Sequence, residues 1–302
     1  MIRAWIETHF VHLLVVSFLA ALFLPGLEHV PSEWATYAMA TIIFFACSKI
    51  HLDDVKSIPL SQVGVFYLGR FIVLPALVYF AFAYAYSDLK EAVLLMMLVP
   101  AGVMVPAVCM MMKGNVSMGL GGVVLSSLLA PLLVPTFFEV FGYEGVEIDT
   151  LDMFIKLCIM ILFPIVIYFT FVRRLEPVKL KMRENASAYS VIMINIVFAC
   201  VIAQQRDVFF DEPLFVLTAF LCSGVVFFLM YGFGWVFGFR TSRANRISFA
   251  LISGANNMAL AIALGTLLFP DVVSQYMVVA EVNWILFLPL FKSFLAKTEK
   301  RA

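Results

Sequence analysis

Long apolar blocks, separated by short polar segments, dominate this sequence. Each block is about as long as an α-helix must be to cross the roughly 30 Å hydrocarbon core of a bilayer. Only 13% of the residues are charged, whereas soluble domains carry about 25%. Because a helix satisfies every backbone hydrogen bond within lipid, we expect an all-α membrane protein. Ten blocks are predicted to be transmembrane helices, at residues 9–27, 35–52, 60–86, 91–112, 116–138, 151–172, 186–203, 213–239, 247–268 and 274–296.

Basic residues are concentrated in alternate loops between these ten spans. Of the 20 Lys and Arg residues, 16 lie on the side of the N-terminus and only two, Lys90 and Arg206, lie in loops of the opposite side. Lys and Arg accumulate in cytoplasmic loops, so we expect a multi-pass protein of the cell inner membrane with both termini in the cytoplasm. No small-residue cleavage site follows the first block, which is therefore interpreted as a span and not as a signal peptide.

The ten spans divide into two sets of five. An odd number of spans in each half means that the second half enters the membrane from the opposite side, as in the inverted repeats of secondary transporters. We expect a first five-helix repeat at residues 1–138, an extracytoplasmic linker at 139–150 and a second five-helix repeat at 151–302.

The fourth span, LVPAGVMVPAVCMMMKGN, contains Pro100, Gly102 and Pro106 in the centre of an apolar run. Proline lacks a backbone donor and its ring clashes with the preceding helical turn. The pattern is compatible with a simple kink, but two prolines that flank a glycine favour a locally unwound, discontinuous helix.

The corresponding point of the second half is SGANNMALAIAL in the ninth span. Ser253, Gly254, Asn256 and Asn257 lie there in an otherwise apolar segment. Asparagine is a poor helix former whose amide needs hydrogen-bond partners. We therefore predict that helices 4 and 9 are both discontinuous and cross near mid-membrane, where half-helix ends hold a charged solute.

Arg70 lies in the third span, VGVFYLGRFIVLPALV, with no charged residue within ten positions on either side. An arginine at mid-membrane is costly and rarely faces lipid. Three interpretations are open: a side chain that reaches the interface, a structural ion pair, or a fixed cation beside the crossover. Because arginine keeps its charge under essentially all conditions, the third would hold an anion site together or pair directly with a carboxylate.

Several segments resemble the bile acid:sodium symporter superfamily. LVPAGVMVPAVCMMMKGNVSMGLGGVVLSSLLAPLLVP is similar to that family's fourth and fifth spans, RISFALISGANNMALAIAL to its ninth, FFACSKIHLDDVK to its second and LGRFIVLP to its third. Arsenite permeases and auxin efflux carriers are distantly similar. The resemblance implies a panel domain (spans 1, 2, 6 and 7), a core domain (spans 3–5 and 8–10), and alternating-access transport of an organic anion.

The sodium ligands of that family are replaced in this sequence. When the chain is aligned on its Lys-Gly-Asn turn, Val105, Pro106 and Val123 stand where the first sodium site of the family has oxygen-bearing side chains. At the second site, Arg70 and Asn256 stand where the family has glutamines. Hard cations need several oxygen ligands, so the resemblance implies a transporter that is not classically sodium-coupled.

Glu281 lies in the tenth span, two residues before Asn283. The resemblance implies that this helix lines the solute cavity. Glu281 is interpreted either as the ion-pair partner of Arg70, with or without a role in transport, or as a protonatable group that couples transport to protons. Glu281 and Asn283 complete the predicted substrate-binding set. Its other members are Arg70, Pro100, Gly102, Pro106, Ser253, Gly254, Asn256 and Asn257.

Together these features predict a secondary active transporter of a small, carboxylate-like organic anion, and not an enzyme. Two alternatives are open: a sodium-coupled symporter with a degenerate ion site, and a membrane solute sensor that moves nothing. A sensor normally carries a soluble output domain, and the longest cytoplasmic loop, near 173–185, is short. The sequence predicts no cofactor and no metal, because the five cysteines lack ligand spacing. A net charge of zero gives no reason to expect nucleic acid, so the expected partners are the anion, the lipid bilayer and a possible second copy in a homodimer.

Overall fold

A computed structural model describes residues 5–6, 9–29, 31, 33–48, 60–141 and 149–299. Regular structure in these residues is helical, and no strand occurs among them apart from one isolated bridge. The α-helices are numbered α1 (Phe10–Phe23), α2 (Glu33–Cys47), α3 (Leu60–Leu68), α4 (Leu74–Ala85), α5 (Lys90–Leu98), α6 (Val105–Met111), α7 (Val116–Phe141), α8 (Thr150–Leu157), α9 (Phe163–Thr170), α10 (Glu176–Gln204), α11 (Arg206–Asp211), α12 (Pro213–Phe237), α13 (Arg243–Gly254), α14 (Met258–Leu268) and α15 (Asp271–Glu299).

Five continuous helical segments in the described residues are long and apolar enough to cross a membrane. A sixth, α10, qualifies if its two parts, which meet at a 61° bend, count as one span. The other predicted spans fall on the shorter helices α1 and α2 and on two helix pairs, α5 with α6 and α13 with α14. The five continuous segments are Gln62–Ala85, Val116–Phe141, Thr150–Arg174, Pro213–Arg240 and Asp271–Thr298.

Parts of the predicted loops lie outside the described residues. Only the ends of the predicted linker at 139–150 are described: α7 continues to Phe141, and the Asp149 side chain accepts hydrogen bonds from the first turn of α8. Residues 142–148 are not described, nor are five of the basic residues that contribute to the charge asymmetry, namely Arg3, Lys49, Lys56, Lys300 and Arg301.

The expected loop near 173–185 is wrong over most of its length. Residues 172–174 form a short 3₁₀ turn, and α10 begins at Glu176, ten residues before the predicted start of the seventh span. Pro177 lies in the first turn, where its missing N–H costs nothing. The segment that follows is rich in Glu, Lys, Met and Leu, which are good helix formers, so the helix extends beyond the part that apolarity reveals.

Two of the membrane-length helices contain a π-helical segment. Residues Gly69–Val73 join α3 to α4, and Cys158–Leu162 joins α8 to α9. Each segment is followed within two residues by a proline, Pro75 or Pro164. A proline ring clashes with the carbonyl four residues earlier, and a wider turn relieves that contact. Arg70 lies in the first of these π segments, which are frequent at functional sites.

The chain forms two compact units. The first comprises Met1–Ile50, Val134–Pro213 and Ala259–Val278. Within it, α10 packs against α1 and α2, and α9 packs against α2.

The second unit comprises His51–Leu133, Leu214–Met258 and Val279–Ala302. Within it, α4 packs against α5 and α13 packs against α6. The ring of Phe66 on α3 contacts the rings of Phe237 on α12 and Phe249 on α13. The backbones of α12 and α13 approach closely at Gly234, where a Cβ atom would lie 2.3 Å from the carbonyl oxygen of Phe249. Such small-residue contacts are a common way for helices to associate in membranes.

Replacing Gly234 with alanine is expected to destabilise the protein by about 1–3 kcal/mol, because the added methyl group overpacks a contact between two backbones. Gly232, on the same helix, provides the matched control, since a Cβ atom there meets nothing within 4 Å. G232A is expected to be neutral or slightly stabilising, because alanine is the better helix former. Thermal unfolding of the two variants in detergent measures the difference. Equal melting temperatures for G234A and G232A would contradict the close packing of α12 on α13.

Candidate functional site

The fourth predicted span is interrupted at its prolines. Helix α5 ends at Leu98, and Val99 has an extended backbone conformation (φ −62°, ψ 146°), as expected for a residue that precedes a proline. The chain resumes as α6 at Val105, with Pro106 in the first turn. The prolines therefore end one half-helix and begin the next.

The ninth predicted span is interrupted at its asparagines. Helix α13 ends at Gly254, Ala255 leaves the helical region (φ −89°, ψ 73°), and α14 begins at Met258. Gly254 is needed for packing as well, because a Cβ atom there would lie 2.2 Å from the ring of Tyr231 on α12.

The two interruptions are hydrogen-bonded to each other. The N–H of Gly102 donates to the carbonyl of Ala255 at 2.7 Å, and the N–H of Asn257 donates to the carbonyl of Pro100 at 2.8 Å. These bonds form the isolated antiparallel bridge between residues 101 and 256. A Cβ atom at Gly102 would lie 3.0 Å from the carbonyl oxygen of residue 256, so the two backbones approach tightly and a larger residue would push them apart. The unwound backbone thus satisfies part of its own hydrogen bonding.

The Arg70 side chain lies within this crossover and is completely buried. Its Nε donates to the carbonyl of Ser253 at 2.7 Å, and its Nη1 donates to the carbonyl of Met97 at 2.8 Å. Its Nη2 donates to Asn256 Oδ1 at 3.1 Å and contacts the sulfur of Met230 at 2.9 Å. The interpretation that Arg70 reaches the membrane interface is therefore wrong.

Two of the carbonyls that Arg70 binds belong to the last turns of half-helices. Met97 lies one residue before the end of α5, and Ser253 lies one residue before the end of α13. The last four carbonyls of a helix lack partners within the helix, and the helix dipole places about −0.5 elementary charge there. The guanidinium thus binds one carbonyl at each of two half-helix ends that carry negative partial charge.

Asn256 connects the guanidinium to the other half-helix. Its Oδ1 accepts from Arg70, and its Nδ2 donates to the carbonyl of Met96 at 2.5 Å. Ser253 adds a further link, because its hydroxyl donates to the carbonyl of Met230 on α12 at 2.5 Å. Both side chains are almost completely buried. The polar residues of the ninth span therefore hold the crossover together in this structure.

The remaining predicted site residues fall into two groups. Pro100, Gly102 and Asn257 are buried at the crossover, and Pro106 is half-buried beside it. Glu281 and Asn283 are not joined to this group by any described hydrogen bond.

On α15, Asn283 Nδ2 donates to the carbonyl of Phe220 at 2.6 Å and to the hydroxyl of Ser223 at 2.8 Å, both on α12. Within the described part of the chain, neither Arg70 nor Glu281 forms an ion pair. The interpretation of a direct Arg70–Glu281 pair is therefore wrong for this structure.

Ser126 also contributes to the crossover, although its sequence context does not predict this role. Its hydroxyl accepts a hydrogen bond from the N–H of Ala101 at 3.0 Å and donates to the carbonyl of Gly122 in its own helix at 2.8 Å. Tyr67 donates to the same Gly122 carbonyl at 2.7 Å. The sequence offers one signal for this contact, a serine within an apolar segment, but serines of this kind usually bond only to their own helix.

Metal and cavity chemistry add little to this site. No group of three or more His, Cys, Asp or Glu side chains that could hold a metal ion occurs within the described residues. A cavity of about 180 Å³ lies beside the crossover, but its lining is almost entirely apolar and includes none of the predicted site residues. Its lining residues are Val63, Phe66, Tyr67, Met118, Gly121, Gly122, Val124, Leu125, Leu128, Phe249 and Ile252.

Membrane-length helices and two interrupted helices that meet at a buried polar site define a class of protein. This is the architecture of multi-pass secondary transporters, whose solute and ion sites lie at discontinuous helices. The chain belongs to the sodium bile acid symporter family, which residues 36–212 match. It is 23% identical over 246 residues to the "Uncharacterized sodium-dependent transporter YocS" of Bacillus subtilis (strain 168), a match that covers 78% of this chain and 74% of that protein. Family membership places the chain among membrane transporters.

Replacing Arg70 with methionine is expected to destabilise the protein by more than about 3 kcal/mol. The change leaves the Met97 and Ser253 carbonyls and the Asn256 amide oxygen without their donor, and each unsatisfied buried acceptor costs about 1–3 kcal/mol. The matched control is R174M, since Arg174 is exposed. Denaturant-induced unfolding in mixed micelles measures both variants. If R70M is as stable as R174M, Arg70 does not hold the two half-helices together.

Proposed function

We propose that this protein is a secondary active transporter that moves a small organic anion by alternating access. The proposed architecture has ten transmembrane helices in two inverted repeats, residues 1–138 and 151–302, with both termini in the cytoplasm and the chain in the cell inner membrane. Spans 1, 2, 6 and 7 form the panel domain, and spans 3–5 and 8–10 form the core domain. Helices 4 and 9 cross within the core.

The bridge between Ala101 and Asn256 supports this architecture. It joins the interruptions of two helices that occupy the same position, fourth of five, in the two proposed repeats. The charge asymmetry of the loops supports the orientation, because 16 of 20 basic residues lie on one side when ten spans are counted.

We further propose that transport does not need sodium, and the contacts of Arg70 carry this proposal. Two backbone carbonyls and the Asn256 side-chain oxygen point at the guanidinium. Such oxygens are the ligands that a hard cation prefers, and here a cation that cannot leave already occupies them. These contacts support the proposal that the crossover is assembled without a bound metal ion.

The site is proposed to take an anion because its fixed charge is positive. Arg70, Ser253, Gly254 and Asn256 are buried in this structure and hold the crossover, so their proposed role is to position the site. The other predicted residues are proposed to face the solute when the site opens. They are Pro100, Gly102, Pro106 and Asn257 at the crossover and Glu281 and Asn283 on α15, of which only Pro106 is half-buried in this structure.

One observation favours a sodium-coupled alternative. The relative in Bacillus subtilis carries the name of a sodium-dependent transporter, and the family takes its description from sodium. At 23% identity an ion site can be lost, and the replacement of its ligand by an arginine is the kind of change that would remove it. Transport measurements separate the two proposals.

Uptake into proteoliposomes is expected to be the same with sodium or choline outside. A thermal-shift screen of small carboxylates, with sodium and proton concentrations varied independently, first selects the solutes. Radiolabelled gluconate and taurocholate are included in the uptake assay because neither crosses lipid readily. Wild-type uptake should change less than twofold when an inward sodium gradient is removed, because Arg70 supplies the positive charge.

The control is R174Q, which should behave as the wild type, whereas R70Q should transport poorly in choline. Strict dependence of wild-type uptake on sodium would contradict the proposed coupling and favour the sodium-coupled alternative. Specific binding without uptake in any condition would contradict transport itself.

A further inference from the structure

Glu281 is a carboxyl group in the middle of a membrane-length helix. It lies ten residues after the start of α15, which spans Asp271–Glu299, and at 1.5 Å per residue this is about 15 Å from the helix end. The side chain is only 3% exposed. The carboxyl therefore lies well inside this membrane-length helix and not at either end.

This carboxyl lacks the partners that an ionised form needs. Its Oε2 is buried and accepts no hydrogen bond, and no ion pair to Glu281 occurs among the described residues. Arg70 is a buried cation on a different helix, but its guanidinium donates to the two half-helix ends. An isolated carboxylate in such surroundings costs far more than a neutral acid. The neutral, protonated form of Glu281 therefore fits these surroundings better than the carboxylate does.

Two helices packed on α15 supply no charge near Glu281. On the Glu281 face of α15, Ser274 approaches Gly265 of α14, a helix that contains no charged residue. Helix α12 contacts the opposite face through Asn283 and through the rings of Phe227 and Phe287. It contains no Asp, Glu, Lys, Arg or His, and its titratable side chains are Cys222 and Tyr231.

The charged groups of the neighbouring elements lie elsewhere. Arg243, at the start of α13, donates to the carbonyl of Leu295, fourteen residues beyond Glu281, and Arg246 stacks on Trp235. On α15 itself the charged residues with described side chains are Asp271, Lys292 and Lys297, and all three are exposed.

We propose that Glu281 is the proton carrier of this transporter, so that each anion moves together with one proton. This inference rests on the proposed function. An ionised Glu281 and an anionic solute would repel each other strongly at low dielectric constant, so the solute binds when the carboxyl is neutral. When the solute leaves, Glu281 releases its proton to water, and it takes up another before the next solute binds. The O–H bond is the only bond that forms or breaks.

Because Arg70 is part of the chain, coupling of the solute to an ion gradient needs a second, exchangeable cation. Because the guanidinium cannot dissociate, it cannot transmit energy from an ion gradient to the solute. Glu281 is a buried group that can exchange a cation, the proton, with both sides of the membrane. The proposed transporter would therefore use a proton gradient where its sodium-coupled relatives use a sodium gradient.

Infrared spectroscopy of the full chain in lipid tests the protonation state without any solute. At neutral pH the wild type should show the C=O stretch of a protonated carboxylic acid, and E281Q should lack it. E184Q, in which an exposed glutamate on α10 is changed, should keep it. E281Q resembles the protonated form and is expected to fold. If the wild-type and E281Q spectra are identical in this region, Glu281 is ionised and the inference is wrong.

Proteoliposome uptake of radiolabelled gluconate and taurocholate tests coupling. With the membrane potential set to zero, an inward gradient of one pH unit should give roughly tenfold accumulation in the wild type and in E184Q, since one unit corresponds to a tenfold ratio. E281Q should show no accumulation under the same gradient, and accumulation equal to that of the wild type would overturn the inference. Uptake that ignores the pH gradient in the wild type overturns proton coupling alone. If no variant takes up either anion, the proposed function fails and the coupling falls with it.

Discussion

The guanidinium of Arg70 holds together the ends of two interrupted helices. Breaking a helix inside a bilayer leaves carbonyls that water cannot reach, and each costs several kcal/mol if it has no partner. Arg70 donates to one carbonyl from each half-helix and to the amide of Asn256, which itself binds the opposite half-helix. The backbone hydrogen bonds between the two breaks do not involve the Met97 and Ser253 carbonyls, so these carbonyls would lose their donor without the guanidinium. The site therefore depends on one buried cation.

A tethered cation and a bound metal ion have different consequences for transport. Both can neutralise helix ends that carry negative partial charge, but only the metal ion can leave and so exchange energy with a gradient. A chain that replaces the ion with arginine gains a crossover that is always assembled and loses the coupling that the ion supplied. A buried, partnerless glutamate on α15 offers a different exchangeable cation, the proton. In the proposed mechanism the two features are related, since the first removes a coupling device and the second provides one.

Several features of this fold follow from short-range chemistry and are visible in the sequence. Pro100 and Pro106 predict the interruption between α5 and α6 because proline acts on its own helical turn. The segment SGANN predicts the interruption between α13 and α14 for a similar local reason. The cost of an unpaired charge in lipid indicates that Arg70 is buried or partnered. The start of α10 was predicted ten residues too late, because hydropathy detects only the apolar part of a helix.

Other features depend on contacts between distant segments and could not be predicted in this way. The partners of Arg70 lie 27 to 186 residues away in the chain, and two of them are backbone carbonyls, which have no residue signature. The contact between Ser126 and the N–H of Ala101 likewise arises only when α7 packs beside the break. The absence of an Arg70–Glu281 ion pair among the described residues is also a result of packing. The contacts between these residues and the transported solute stay a prediction.

Direct binding of radioactive sodium to the purified protein tests the central claim most directly. The account predicts no saturable sodium binding to the wild type, because the guanidinium occupies the oxygens that would coordinate the ion. It predicts saturable binding to R70Q, which removes the guanidinium and leaves those oxygens free, with R174Q behaving as the wild type. Saturable, stoichiometric sodium binding to the wild type with Arg70 in place would contradict the account.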